Sequence, residues 1–158
     1  MITTLLTIKF PLYVLYIIKE NGNKILPSIS DSWYVLQTNK PILRHLFTLW
    51  CYLIGLLLLS YYTYSFAFFL GGMGMMWVGT YTEFYRRSSE HEYIHFSGAV
   101  IAILSSLIGL LYNQIYFPSI IMLIGTPLTY LITRKKGTHI FWIEIVAFVS
   151  IILGLWNL

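Results

Sequence analysis

The sequence predicts an all-α integral membrane bundle of six transmembrane helices, with the N and C termini outside. Three observations predict it. Hydrophobic residues make up 58% of the 158 positions and charged residues 10%, where a soluble domain carries about 25% charged. The apolar residues fall in continuous runs, whereas a barrel would show alternating segments of about ten, and a chain crossing hydrocarbon must otherwise satisfy its backbone as helix. The lysines and arginines gather in alternate connections between those runs. Residues 1–158 are expected to form a single transmembrane domain.

A spanning helix needs about 20 mostly apolar residues, and six segments qualify: 2–18, 43–60, 63–82, 94–113, 117–133 and 139–157. The first contains Lys9 and Pro11, and lacks the basic n-region and small-residue cleavage site of a signal peptide. It is expected to stay in the membrane. Between it and the second segment runs ILPSISDSWYVLQTNKP, 25–41. Pro27 is expected to stop any preceding helix, and Ser30 or Asp31 to cap a short interfacial helix from Ser32 to Thr38. Trp33, Leu36 and Ile29 would dip into lipid from that helix. The second and third segments are separated only by SYYTY, and the fourth and fifth only by NQIYFP, so each pair is an antiparallel hairpin.

Charge orients the bundle. Lys19, Lys24, Lys40 and Arg44 follow the first segment, Arg86 and Arg87 the third, and Arg134, Lys135 and Lys136 the fifth. Those nine of the ten basic residues share one side, which the positive-inside rule makes cytoplasmic. The expected location is the inner (cytoplasmic) membrane, or a host membrane if the gene is a phage's. Tyr61, Tyr62, Tyr64 and Trp156 mark the outer border, and Trp33, Tyr34, Tyr81, Tyr85 and Trp142 the inner one. The bilayer is the expected partner, and self-association into a homo-oligomer stays open. The basic residues flank apolar segments without forming a patch, which speaks against nucleic acid. The lone Cys51 excludes an intramolecular disulfide and a cysteine metal cluster.

Chemistry concentrates at SSEHEYIHFSGA, 88–99. His91 and His95 stand about 40° apart on a helix. Their stripe continues through Gly98, Ala102, Ser106 and Gly109, small residues that admit another helix closely. Gly72, Met76, Gly79 and Glu83 form a stripe on the third segment that is expected to match it. His139 opens the sixth segment, and Glu144 lies about a turn and a half further in. Ionisable groups in a membrane segment are functional hypotheses because burying them is costly, and Lys9 and Glu144 are expected to be able to pair.

Three readings stay open. Residues 91–95, HEYIH, match H-E-x-x-H, in which His91 and His95 would hold zinc and Glu92 would act as general base. Glu83, His139 or Asp31 could supply a third ligand. Alternatively Glu144, His95 and Glu83 relay protons or bind a cation. In the third reading these groups are solvated interfacial residues, pairing with Arg86 and Arg87 in a structural protein without catalysis.

ILPSISDSWYVL, RHLFTLWCYLIGLLLL, GGMGMMWVG and EYIHFSGAVIAIL together resemble a family of small multi-pass membrane proteins of bacteria and their phages. The resemblance runs over residues 25–105 and rests on Pro27–Ser30, Tyr34, Leu46–Thr48, His95 and Ala99; Trp33 stands where that family has Tyr. The family carries no assigned activity. The resemblance implies the topology, and it points to Ser28, Ser30 and His95 while favouring His95 over His91. A remoter likeness is to the membrane hydrolases grouped with alkaline ceramidases and adiponectin-type receptors, which have seven helices and a three-histidine zinc site. From these readings a polar pocket of Glu83, His91, His95 and Glu144, covered by Ser28–Asp31, is expected to suit a metal or a lipid-like ligand.

Overall fold

The computed structural model of the protein describes residues 2–81 and 89–158, with the side chains of all of them except 2, 38, 39, 81 and 89–92. Among the described residues there are seven α-helices and no strand: α1 Ile2–Glu20, α2 Ser32–Asn39, α3 Leu46–Ser60, α4 Phe66–Tyr81, α5 Ser89–Tyr112, α6 Tyr116–Thr133 and α7 His139–Leu155. All six apolar segments are helical, and α2 is the short helix expected in the first connection. Among the described residues three stretches are long and apolar enough to cross a membrane: Leu43–Ser60, Tyr93–Tyr112 and Tyr116–Lys136. Phe66–Thr80 and His139–Leu155 are apolar but shorter. The chain divides into two compact units, Met1–Arg44 with Phe117–Asn157, and His45–Tyr116.

In the first unit α1 runs antiparallel to α7. Trp156 Nε1 donates to Thr7 Oγ1 at 2.7 Å near one end, and Phe10 stacks on Phe148 with centroids 4.9 Å apart. Pro27 does not end α1, which stops earlier, at Glu20. The Gly22 amide donates to the Lys19 carbonyl and the Asn23 amide to the Ile18 carbonyl, while Gly22 takes φ +66°. This is a Schellman stop, and glycine suits it because a positive φ costs it nothing, whereas a side chain would be strained against its own backbone. The helix is thus ended by its own backbone seven residues before the proline.

The loop and α2 also depart from expectation. Ile29, Trp33 and Leu36 are 0%, 2% and 0% exposed, so they pack inside the protein and not into lipid. Asp31 occupies the N-cap position of α2 but makes no capping hydrogen bond with its side chain. The reason is local: the Ser32, Trp33 and Tyr34 amides already donate to the Ile29, Ser30 and Asp31 carbonyls. With those donors satisfied, a carboxylate cap has little left to do.

In the second unit α4 lies between α3 and α5. A Cβ on Gly72 would meet the Gly55 carbonyl at 2.6 Å, and one on Gly79 the Cβ of Cys51 at 2.7 Å. On the other side, a Cβ on Gly74 would meet the Ala102 amide nitrogen at 2.7 Å and the Gly98 carbonyl at 2.8 Å. The Gly98–Gly109 stripe of α5 therefore faces α4. The Gly72–Met76–Gly79 stripe, however, faces α3 and is not the partner of that α5 face. α4 is thinned on two sides, and Gly71 and Gly74 supply the side that receives α5. Two hydroxyl contacts tie α3 to α4: Thr48 Oγ1 donates to the Gly79 carbonyl at 3.2 Å, and Tyr52 and Thr80 share a hydroxyl hydrogen bond of 2.6 Å.

Candidate functional site

The polar constellation that the described residues build lies in the first unit, around Glu144. Pro27 has no amide proton but offers a carbonyl, and that carbonyl accepts the Phe141 amide at 2.9 Å. Phe141 is the third residue of α7, where a helix amide has no partner of its own. The loop thus caps α7, and α7 returns the contact one turn later. Glu144 Oε2 accepts the Ile29 amide at 2.5 Å, and the carboxylate also accepts the Ser30 amide. Two successive backbone N–H groups form a small anion-binding concavity, and the helix that follows them adds the positive end of its dipole. An acidic side chain in an apolar helix is therefore held as an acceptor by backbone amides.

Hydroxyls and a second acid surround this clamp. Ser28 Oγ lies 2.8 Å from Ser30 Oγ and accepts the Asp31 amide at 3.2 Å. The Asp31 carboxylate is close enough to act on Glu144 electrostatically. One side of the loop is pinned to α1 by Tyr13, whose hydroxyl shares a buried 2.6 Å hydrogen bond with Ser32. Arg44 lies over the Trp33 ring, 5.2 Å from its centroid. The donor set at the clamp is oxygen only, which suits a proton or a hard cation better than a soft transition metal.

Of the sequence candidates, Ser28, Ser30, Asp31 and Glu144 come together here. Lys9 is exposed on α1, and the Glu144 carboxylate is taken up by backbone amides instead. His139 belongs to the same unit, edge-on to Tyr130 at 5.5 Å. His95 belongs to the second unit, partly buried in α5 between the exposed Ile94 and Phe96. His91 and Glu92 fall inside α5, one helical turn before His95, but their side chains lie outside the described ones; Glu83 lies wholly outside the described residues. Among the described residues no three His, Cys, Asp or Glu side chains are grouped to hold a metal.

Sequence reading missed Tyr13 and the capping role of Pro27. Tyr13 reads as one aromatic among many in an apolar helix, and a carbonyl that caps a helix over a hundred residues away leaves no local signal. No family model, no curated protein and no solved structure matches the chain.

Proposed function

We propose that the chain is a six-pass protein of the cytoplasmic membrane, with both termini outside, and that it handles protons or a small cation through Glu144 at the inner end of its first unit. The observation that carries this reading is the Glu144 carboxylate, seated in an apolar helix on the amides of Ile29 and Ser30. An intramembrane acid kept at a break in helical structure is how transport proteins commonly bind their coupling ion. Protonation weakens the acceptor and loosens the Pro27–Asp31 loop, which couples charge to movement. The basic connections support the orientation, and the resemblance to small multi-pass proteins of bacteria and phages supports the topology. The lipid bilayer is the surrounding partner.

Wild-type protein and Glu144→Gln, each reconstituted into vesicles holding a pH-sensitive dye, test this under an imposed potassium diffusion potential. Wild type should acidify or alkalinise the lumen at least tenfold faster than empty vesicles, and Glu144→Gln should not. Wild-type vesicles that behave like empty ones would refute the reading.

A second reading, a zinc-dependent membrane hydrolase, draws on one observation. α5 begins at Ser89, so His91 and His95 occupy one face of a single helix, the spacing at which two imidazoles share an ion. In that reading Glu92 is the general base and Glu83 or His139 a further ligand. Elemental analysis of wild type beside His91→Ala/His95→Ala tests it: zinc near one per chain, lost in the variant, is expected, and equal metal in both would remove it.

A further inference from the structure

Nine of the ten basic residues lie in the connections, and the tenth, Lys9, lies within α1. Its expected partner, Glu144, is taken up by the loop amides. Among the described residues Lys9 makes no hydrogen bond or ion pair. It is exposed, and so are its neighbours Leu5, Ile8 and Leu12. In the six-pass topology this is the lipid-facing side of α1. A cation left there must reach an anion or water, because hydrocarbon supplies neither.

A contact with the end of α7 sets its depth. Trp156, half exposed and just past the last residue of α7, donates its indole N–H to Thr7 Oγ1 at 2.7 Å. A tryptophan with an exposed ring and an engaged N–H belongs at the membrane–water interface, which places Thr7 at that level. At about 1.5 Å per residue, Lys9 lies only about 3 Å deeper. Side chains of a helix lean toward its N-terminus, here the outer end. The lysine stem therefore runs back along the Leu5 side of α1 and carries the ammonium to headgroup height.

The positions of the acids decide which anion it meets. The chain has six: Glu20, Asp31, Glu83, Glu90, Glu92 and Glu144. Glu20 is eleven residues further along α1, about 16 Å inward. Phe148 is level with Phe10, on which it stacks, and Glu144 precedes it by one turn on the inward side. The other four belong to the connections that carry the basic residues. A second copy alongside in the same orientation thus brings no carboxylate to the height of Lys9, whereas phospholipid phosphates surround the helix there.

We propose that Lys9 holds the phosphate of an outer-leaflet phospholipid, making the exposed face of α1 a lipid-headgroup site. The ammonium donates a charge-assisted hydrogen bond to a phosphate oxygen, and Ile8 and Leu12 lie against the acyl chains below. The site rests on the six-pass reading and is independent of what Glu144 carries.

The test is site-specific photo-cross-linking in vesicles of equal phosphatidylglycerol and digalactosyldiacylglycerol with the same acyl chains, the second lipid lacking phosphate. Benzoylphenylalanine is introduced at Leu12, one turn inward of Lys9 and 59% exposed, or at Ile124 of α6, 58% exposed. Mass spectrometry of the labelled peptide reads which lipid is attached. Relative to Ile124, attachment at Leu12 should favour phosphatidylglycerol at least threefold. Lys9→Gln should remove the preference and Lys9→Arg restore it. A ratio equal to that at Ile124, or one unchanged by Lys9→Gln, overturns the proposal. Attachment at Leu12 chiefly to another protein chain overturns it too, putting a protein partner in the place of the lipid. Lipid captured at Ile124 and none at Leu12 would put α1 outside the bilayer and sink the six-pass reading with the site, whereas lipid captured at Leu12 without preference sinks the site alone.

Discussion

The helices between Leu46 and Tyr112 touch through backbone, whereas α1, the Pro27–Asp31 loop and α7 touch through polar groups and stacked rings. In the second unit, α4 offers glycine to both neighbours, so Gly72 approaches the Gly55 carbonyl and Gly74 the Ala102 amide. In the first, the contacts are Glu144 on two loop amides, Tyr13 on Ser32, Trp156 on Thr7 and Phe10 on Phe148. Helices in lipid gain little by burying leucine against leucine, because lipid tails are just as apolar. Two remedies remain, close approach for dispersion and interhelical hydrogen bonds. The second unit leans on close approach, with Thr48 and Tyr52 adding hydroxyl bonds between α3 and α4, and the first unit leans on hydrogen bonds. The difference also bears on the proposed function. A seam of glycines has two neutral surfaces and little to titrate, while a clamp built on a carboxylate can be opened by a proton.

The sharpest way to break the comparison is to thicken the second unit. Gly74→Leu drives four carbons into the Ala102 and Gly98 backbone, and should destabilise by about 3 kcal/mol, the upper range for overpacking. Unfolding in detergent, followed by helical circular dichroism, reads it; a wild-type transition would show that the close approach contributes nothing. Next in size is Glu144→Leu, which strands the Ile29 and Ser30 amides and should cost about 2 kcal/mol. Glu144→Gln keeps one acceptor oxygen and should cost less than half as much; a wild-type transition in Glu144→Leu would show that the carboxylate is not what seats the loop. Tyr13→Phe leaves Ser32 buried without its partner and should cost about 1 kcal/mol, measured in the same way. The smallest effect has the opposite sign. Gln114 holds φ +60° where α5 ends, with its amide on the Leu111 carbonyl and the Ile115 amide on the Leu110 carbonyl. Gln114→Gly should stabilise by about 0.5–1 kcal/mol, and a lower unfolding temperature would show that Gln114 has a side-chain contact that outweighs the strain.

Helix positions were legible from apolar runs because each run is long and broken from the next by polar, basic or tyrosine-rich residues. The ends were less so. α1 stops at a Gly22–Asn23 turn although Pro27 is the louder signal, and α5 starts at Ser89, which takes in polar residues that hydropathy excludes. The α5 stripe of Gly98, Ala102, Ser106 and Gly109 was legible as a contact face, since small residues at helical spacing have few other uses. Its partner was not. α4 has glycine on two sides, at 71 and 74 and at 72 and 79, and periodicity alone cannot say which side meets which neighbour. Glu144, Ser28, Ser30 and Asp31 were legible one by one as polar residues in apolar surroundings. That they meet depends on the Pro27 carbonyl reaching the Phe141 amide, a backbone contact indifferent to side-chain identity. The lipid-dipping reading of Ile29, Trp33 and Leu36 failed for the same reason: an amphipathic short helix looks alike whether lipid or protein covers its apolar side.

The central claim is that the first unit carries the chemistry and the second the packing. Vesicles bearing wild type, Glu144→Gln or His95→Ala, matched for protein content and compared for proton flux in one experiment, test it most directly. The account predicts that Glu144→Gln falls to the level of empty vesicles while His95→Ala stays within about twofold of wild type, a difference of about 0.4 kcal/mol in barrier. Loss of flux in His95→Ala with Glu144→Gln unaffected would contradict it and move the chemistry to α5.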